Sequence, residues 1–521
     1  MKSSPRPAQP PLPDRQRGPI AWQLAIIILA VLAASAWFLY AEQQVAGQWG
    51  FSLDDSWIYA TFARNLAMGA GYSFNPGEPI AGATGPLYVL ILALLYLVFH
   101  DVVWPAKVLG IVCLCASSLA IYFTAGRLRP KNRLTPLLAG LLVALSPPLL
   151  WGSLSGLEIP VYLLLTCVGV SLYVKEKWAA AILCWSLGVW LRPDGLFLVA
   201  LGLLARPKLS LRNSIGPLIV AAVLVGSYFV FNYVVARSIL PTSVAVKAHF
   251  GGDVVGSEWK MLQQWADVWG VSLKAHRLGL EPVLLLPGIV VGSIAVFRRW
   301  PALAAYVFLF PFFFALSNAT GGQYARYIVY IVPVGVLLGV LGFDVVAHRA
   351  LGKRGVVAVA VLGTLCLSWQ IHSTRKMGIA HGWNVQNING MQRYTAEVIR
   401  GEATDGDTVA VNDVGAMGFF SRCYIVDLVG LVSPRRPFPE NLSVYKPKFL
   451  AVFPDWFENY ATMDWRTRQV VFYDADSIYK YSPFLGVRLE RNTISSRNTM
   501  YLFERVARNE TDVRHVQLVV H

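Results

Sequence analysis

Residues 20–41, IAWQLAIIILAVLAASAWFLYA, are followed after a nine-residue gap by FSLDDSWIYATFARNLAMGAGYSFNPGEPIAGATGPLY, residues 51–88. The first stretch carries no charge and is long enough to cross a bilayer as a helix. The second brings adjacent carboxylates, Asp54 and Asp55, to the point where the chain leaves the hydrocarbon. Ile58, Phe62 and Leu66 recur every fourth residue, so a helix is expected to lie along the interface with this apolar face down. Apolar surroundings can raise a carboxylate toward the range of a useful base. The same two acids would serve equally as caps at the positive end of that helix. Ala34-Ser35-Ala36 has the small residues of a signal-peptidase site, but the apolar run continues through Tyr40, and an uncleaved anchor is expected.

Most of the remaining chain repeats the first pattern. Of 521 residues 55% are hydrophobic and 14% charged, and the mean hydropathy is +0.50, which excludes an ordinary soluble enzyme. Further spans are expected near 103–125, 134–150, 158–174, 178–191, 195–205, 213–235, 283–297, 301–317, 327–347 and 355–371, making about 11 transmembrane helices. With these spans, 18 Lys and Arg fall on one side and nine on the other, so the richer side is read as cytoplasmic. The net charge of +15 is then an orientation bias and points to no nucleic acid. Residues 86–100, PLYVLILALLYLVFH, are apolar but short, and a full crossing there would invert the bias; they are read as a juxtamembrane or re-entrant helix. The Pro-rich basic segment 1–19 reads as a disordered cytoplasmic tail. Residues 20–371 form the membrane domain with a first outer loop over 42–102. The six cysteines are scattered, mostly inside apolar runs, and offer neither a disulfide framework nor zinc-ligand spacing.

Residues 372–521 change character. Gln386 to Arg400 reads as an amphipathic helix, and residues 409–413, 424–428, 449–453, 470–473 and 500–506 as strands, so a C-terminal soluble α/β domain is expected outside the membrane.

LDDSWIYATFARNLAMGAGYSFNPGEPIAGATGPLY, with SGLE at 155–158, RPDG at 192–195, LPTSVAVK at 240–247 and ARYIVYIVP at 325–333, resembles the GT-C superfamily of integral-membrane glycosyltransferases. The likeness extends to polyprenyl-phosphate-sugar-dependent arabinofuranosyltransferases, protein O-mannosyltransferases and the lipid A aminoarabinose transferase. It implies a polytopic α-helical, GT-C-like membrane domain that moves a sugar from a polyprenyl-phosphate carrier to a hydroxyl of a glycan, lipid or protein, usually with inversion, on the outer face of a bacterial inner (plasma) membrane. In such families an acid of the first outer loop is the presumed base. The resemblance prefers Asp54, whereas the residues themselves do not separate Asp54 from Asp55.

That chemistry asks for a base near the acceptor and cations aimed at the departing phosphate. The cations expected on the outer side are Arg64, Lys107, Arg192, Arg237, Lys247, Lys260, Lys274, Arg277 and Arg326. Arg326, beside Tyr327, and Lys247 could grip a phosphate, although snorkelling at a helix end accounts for such positions too. Glu158 could orient the acceptor or hold a metal, or simply favour a helix start. Asp194 is expected to shape a tight turn with Arg192. Asp54, Asp55 and Glu158 are oxygen ligands suited to a divalent cation, Mg²⁺, Mn²⁺ or Ca²⁺. Arg64, Asn65, Glu78, Thr84, Arg192 and Tyr324 complete the expected substrate contacts. Asp413 and Asp427, at strand ends, could touch a glycan or form turns. His249, His276 and His381 read as surface histidines. Two rivals share the hydropathy: a polytopic lipid flippase or transporter, which would bring internal repeats and mid-membrane charges, and a non-catalytic glycan-assembly subunit.

Overall fold

In a computed structural model the chain is described over residues 20–205, 211–242, 285–316, 323–433, 436–464, 469–510 and 513–521. Lys247, Lys260, Lys274, Arg277, His249 and His276 lie outside the described residues. The helices are α1 (Ala21–Ala46), α2 (Asp54–Ala67), α3 (Pro86–Phe99), α4 (Val103–Leu128), α5 (Leu134–Ala144), α6 (Pro147–Leu154), α7 (Ile159–Val174), α8 (Trp178–Val189), α9 (Leu196–Leu204), α10 (Leu211–Ala236), α11 (Leu285–Phe297), α12 (Pro301–Leu316), α13 (Val332–Leu351) and α14 (Gly355–Ile388).

Four described segments are long and apolar enough to cross a membrane: Ala21–Ala46, Val103–Leu128, Ile215–Ala236 and Val329–Glu402. Most of the remaining apolar helices are 10–17 residues long. The span expected over 134–150 is instead two helices, α5 and α6, bent by 49°. Pro147 and Pro148 open α6, and proline disfavours helical geometry in the residue before it, so the break falls at Leu145-Ser146. Residues 86–100 do form a short helix, α3, whose Leu94, Leu97, Val98 and Phe99 are exposed.

Close backbone approach fixes the bundle. Gly288 and Gly292 of α11 face Gly339 and Gly342 of α13; a Cβ on Gly292 would strike the Leu338 carbonyl and one on Gly342 the Gly288 carbonyl. Such small-residue contacts let membrane helices pack where apolar burial alone supplies no drive. Buried hydroxyls in α4 and α6 return to their own helix: Ser117 to the Cys113 carbonyl, Ser118 to Leu114, Thr124 to Ala120 and Ser153 to Leu149. No polar atom of these side chains is thereby left bare in an apolar core.

The helix expected to end near 371 runs on to Ile388 without interruption, so the boundary drawn there falls inside α14. A five-residue π-helical turn, Asn389–Arg393, joins it to α15 (Tyr394–Glu402). The helix expected over Gln386–Arg400 thus covers the end of α14, the π-helical turn and most of α15. Beyond it come β1 (Thr408–Val411), α16 (Gly415–Phe420), β2 (Tyr424–Asp427), α17 (Phe438–Tyr445), β3 (Phe449–Val452), β4 (Ala461–Met463), β5 (Val470–Tyr473), β6 (Tyr479–Arg488), β7 (Thr499–Ala507) and β8 (Gln517–Val520). They form one mixed sheet in the order β2-β1-β3-β7-β6-β5-β4, with β8 beside β6. β1 is parallel to β2 and β3, and its Val409, Ala410 and Val411 are fully buried. β4, β6 and β8 were not expected. Pro483 sits where the β6–β7 register shifts, which is where a strand tolerates proline.

Aromatic packing helps join the sheet domain to the bundle. Trp57 of α2 packs between Phe51, at 4.8 Å, and Phe419 and Phe420 of α16, at 5.0 and 4.6 Å between ring centres. α16 is therefore seated on the helix that begins with Asp54 and Asp55.

Candidate active site

Neither acid of the first loop caps its own helix. Leu53 is the N-cap residue of α2, without a side-chain cap, and Asp54 and Asp55 occupy the first turn. Asp54 instead caps α16: Gly415 N–H donates to Oδ2 and Ala416 N–H to Oδ1, both at 2.8 Å. At the other end of α16, Arg64 donates to the carbonyls of Phe419 (2.6 Å) and Gly418 (3.2 Å) and lies over the Phe419 ring. One helix of the loop thus presents a carboxyl group to the amide end of α16 and a cation to its carbonyl end.

Asp55, one residue on, points elsewhere. Its Oδ2 is 2.9 Å from Nη2 of Arg326, and its side chain is 36% exposed. Arg326 is 9% exposed. It also donates to the Tyr327 hydroxyl at 3.1 Å and lies 5.0 Å from the centre of that ring. Arg192 lies 5.6 Å from the centre of the same ring and 5.1 Å from that of Tyr330. Its guanidinium is forked between Glu158, at 2.7 Å, and Asp194, at 3.0 Å. The result is a strip of alternating charge: Asp55, Arg326, Tyr327, Arg192, then Glu158 and Asp194. The geometry has a reason at each end. Gly156, at φ +83°, turns the chain between α6 and α7 and sets Glu158 at the head of α7. The 3-10 turn Pro193–Gly195 does the same for Asp194 between α8 and α9. The loop is tied to the first of these turns by the Ser56 hydroxyl on the Ser155 carbonyl (2.7 Å) and the Tyr88 hydroxyl on the Gly156 carbonyl (3.1 Å).

The strip leaves a guanidinium donor unmet. Nε of Arg326 is buried and makes no hydrogen bond among the described residues. A buried guanidinium N–H without an acceptor costs on the order of 1–3 kcal/mol, and a ligand oxygen placed there would remove that cost.

A third carboxylate stands close behind. Burial first, then the charge of Asp413, pushes Asp54 up to about 8 against the pull of its two backbone N–H bonds. Burial, with the charge of Asp55, pushes Asp413 up to about 6, opposed by hydrogen bonds from Gln392 (2.9 Å) and Asn412 (3.3 Å). Gln392 in turn donates to Ser495, so the loop after β6 reaches the same place. Asp427 does not: its carboxylate accepts the N–H groups of Val429, Gly430 and Val432, at 2.8, 3.0 and 2.7 Å, which is turn formation.

The remaining expected contacts hold protein to protein. Asn65 donates to the carbonyls of Ser73 and Phe74. Glu78 accepts from the Tyr424 hydroxyl at 2.8 Å. Thr84 bonds the Tyr59 hydroxyl at 2.7 Å. Tyr324, held at φ +54°, stacks on Trp151 at 4.7 Å, and its hydroxyl meets the Asn384 side chain at 3.1 Å. The reading of His381 as a surface residue is corrected: it is fully buried, with Nε2 3.1 Å from Oε2 of Glu42, which also receives Lys107 at 2.7 Å. Lys107 is accordingly not among the cations of the strip.

No three His, Cys, Asp or Glu side chains gather as a metal-binding group among the described residues. Asp54 faces two amides, Asp55 an arginine and Glu158 another arginine, so the expected oxygen ligands do not turn toward one shared ion.

A family model described as a domain of unknown function (DUF8728) matches residues 383–504. No curated protein matches the sequence. Among solved structures, the ArnT of Cupriavidus metallidurans in the apo state aligns over 93% of this chain and 98% of its own, at 13% identity and a TM-score of 0.58. The same enzyme bound to undecaprenyl phosphate aligns over 95% and 99%, at 14% identity and 0.56. The archaeal oligosaccharyltransferase AglB of Archaeoglobus fulgidus, in complex with an inhibitory peptide and a dolichol-phosphate, aligns over 83% of this chain and 69% of its own, at 12% and 0.57. These neighbours are GT-C superfamily membrane glycosyltransferases, and the fold is theirs: apolar helices followed by a C-terminal mixed sheet.

Proposed function

We propose that the protein is a multi-pass membrane glycosyltransferase that moves a sugar from a polyprenyl-phosphate carrier to an acceptor hydroxyl on the extracytoplasmic face, with inversion. The observation that carries the reading is the buried Arg326, paired with Asp55 and flanked by Tyr327, with Nε left without a partner among the described residues. A base and an anion-binding guanidinium joined at 2.9 Å are the two groups that displacement of a lipid phosphate needs. Fold neighbours bound to undecaprenyl phosphate or dolichol-phosphate add support for a lipid-phosphate donor. Sugar, acceptor class and the placement of the sheet domain outside a bacterial inner membrane belong to the same proposal.

In this mechanism Asp55 is the base and Asp54 a positioning residue. Both oxygens of Asp54 are occupied by backbone donors, whereas Asp55 is half-exposed and shares its partner. An arriving phosphate competes for Arg326 and draws it from Asp55, leaving the carboxylate more basic next to the acceptor. The acceptor oxygen attacks the anomeric carbon, its proton passes to Asp55, and the bond from carbon to phosphate oxygen breaks with its electron pair on the phosphate. Arg326 and Arg192, held on either side of Tyr327, meet the growing charge, as would Lys247. The proton on Asp55 leaves to water or to the released phosphate. Glu158 and Asp194 keep the Arg192 fork aimed. Arg64, Asn65, Glu78, Thr84 and Tyr324 hold the walls. No step is routed through a divalent cation.

Purified full-length protein, incubated with a panel of radiolabelled polyprenyl-phosphate sugars and membrane-derived acceptors, should form a glycosidic product from at least one donor. Movement of the intact donor across a vesicle bilayer, with no product from any donor, would favour a flippase and end this reading.

A further inference from the structure

The end of α1 farthest from Asp55 borders a second concave site. A cavity of about 520 Å³ opens between the start of α1, the end of α4, the start of α5 and the turn from α7 to α8. Arg127, Arg129, Arg133, Lys175 and Lys177 line it. Its floor is polar and already satisfied: the Tyr122 hydroxyl donates to Gln23 (2.8 Å), and Gln23 donates to the Arg133 carbonyl (3.2 Å). Only Arg129 is neutralised, by Asp344 at 2.8 Å. The other four cations carry no ion pair among the described residues.

We infer that this cavity binds the phosphate headgroup of an anionic phospholipid from the cytoplasmic leaflet. Four cations without an ion pair, with Glu176 beside them held by Arg299 and felt by Arg127, leave one concavity with excess positive charge, and a phosphodiester between them replaces repulsion with charge-assisted hydrogen bonds. The cavity lies at the level of the membrane surface: Trp22, in the first turn of α1, is 52% exposed, the position an interfacial tryptophan takes. The charge bias of the loops sets this end toward the cytoplasm, where anionic lipid and basic pockets between helices meet. The chain's own N-terminal segment is an unsuitable occupant, because Lys2, Arg6, Arg15 and Arg17 add charge of the same sign and Asp14 is its single acid. Free phosphate offers the same oxygen atoms but no acyl chains for the exposed Phe123 at the rim. The inference is independent of the transfer reaction, since the cavity and the Asp55–Arg326 pair lie at opposite ends of the bundle.

Native mass spectrometry of the full chain in neutral detergent tests it, with phosphatidylglycerol, phosphatidylethanolamine and inorganic phosphate as probes. Phosphatidylglycerol should be retained and phosphatidylethanolamine lost. Each cation removed should weaken retention about fivefold, from the contribution of a basic residue at an anionic surface. The Arg127→Gln/Arg133→Gln/Lys177→Gln variant should therefore bind roughly 100-fold more weakly. The exposed pair Lys175→Gln/Lys177→Gln, which touches no packing, should lose about 25-fold and keep the wild-type unfolding temperature. Equal retention of both lipids, or undiminished retention by both variants, overturns the inference. Inorganic phosphate that displaces the lipid at equal concentration would make this a free-anion site and overturn the lipid assignment.

Discussion

Asp54→Asn separates positioning from proton transfer. The carboxylate accepts two backbone N–H bonds at 2.8 Å, one on each oxygen. An asparagine side chain keeps one oxygen and turns its NH₂ toward the second donor, so one bond to a charged acceptor is lost and one amide of α16 is left facing another donor. Above about pH 8, where Asp54 is ionised, a hydrogen bond to a charged group contributes about 1.5–3 kcal/mol, and the favourable charge at the helix end adds about 0.3–1 kcal/mol. Relief of repulsion with Asp55 and Asp413 offsets part of this, leaving a loss of about 2 kcal/mol in the seating of α16 on α2. For a domain of this size that lowers the unfolding temperature by roughly 4–8 °C. The assay is thermal unfolding of the purified variant at about pH 9, where Asp54 is ionised, read beside limited proteolysis of the sheet domain and the rate of sugar transfer. The expected outcome is a lower transition, faster cleavage after α14, and a transfer rate reduced but measurable. A variant with unchanged unfolding and no transfer would refute the reasoning and return the base to Asp54.

Arg326→Lys keeps a positive charge but loses the guanidinium whose Nη2 meets both Asp55 and Tyr327 and whose Nε faces the site, and steady-state kinetics should give kcat/KM lower by roughly 100-fold; wild-type kinetics would remove Arg326 from the site. Asp54 and Asp413 are both pushed above the ordinary carboxylate value, to about 8 and about 6. The folded state therefore holds protons that the unfolded chain has released. The stabilisation is complete below about pH 4 and is lost as pH rises through 6 and then 8. The unfolding temperature of the sheet domain should fall between pH 5 and 8.5, and Asp413→Asn should flatten the lower part of that slope; a rise over the same range contradicts the assignment. Gly292→Leu places a side chain against the Leu338 carbonyl, and detergent-extracted folded protein should drop severely by size-exclusion chromatography, whereas the same change at Gly226, which faces open space, should leave the yield intact.

The membrane helices were legible because a run of apolar side chains needs no partner to be recognised. What hydropathy hid was where helices bend or continue. Pro147 and Pro148 were in view, yet the apolar run around them passes for one span. Gln370, His372, Arg375 and Lys376 end the apolar signal, but they do not end α14, since helix geometry survives a change of solvent. Pro483 and Gly486 disguised β6, the longest strand. In the site, Asp54 and Asp55 stood out through their place after α1, and their different fates did not: only the fold brings Gly415 to one and Arg326 to the other. The burial of His381 rests in the same way on Glu42 and Lys107, residues far from it in sequence. Asp413 was marked only as a strand-end acid, like Asp427, and nothing local told the two apart, because its role depends on Gln392 and the two acids of α2.

The pairing of Asp55 with Arg326 is tested most directly by the rate of sugar transfer in Asp55→Asn, measured beside wild type once both give the same unfolding temperature. Loss of a general base lowers the rate by roughly 100- to 10,000-fold, with donor binding retained because Arg326 is left free for phosphate. Transfer at the wild-type rate in that variant would contradict the account.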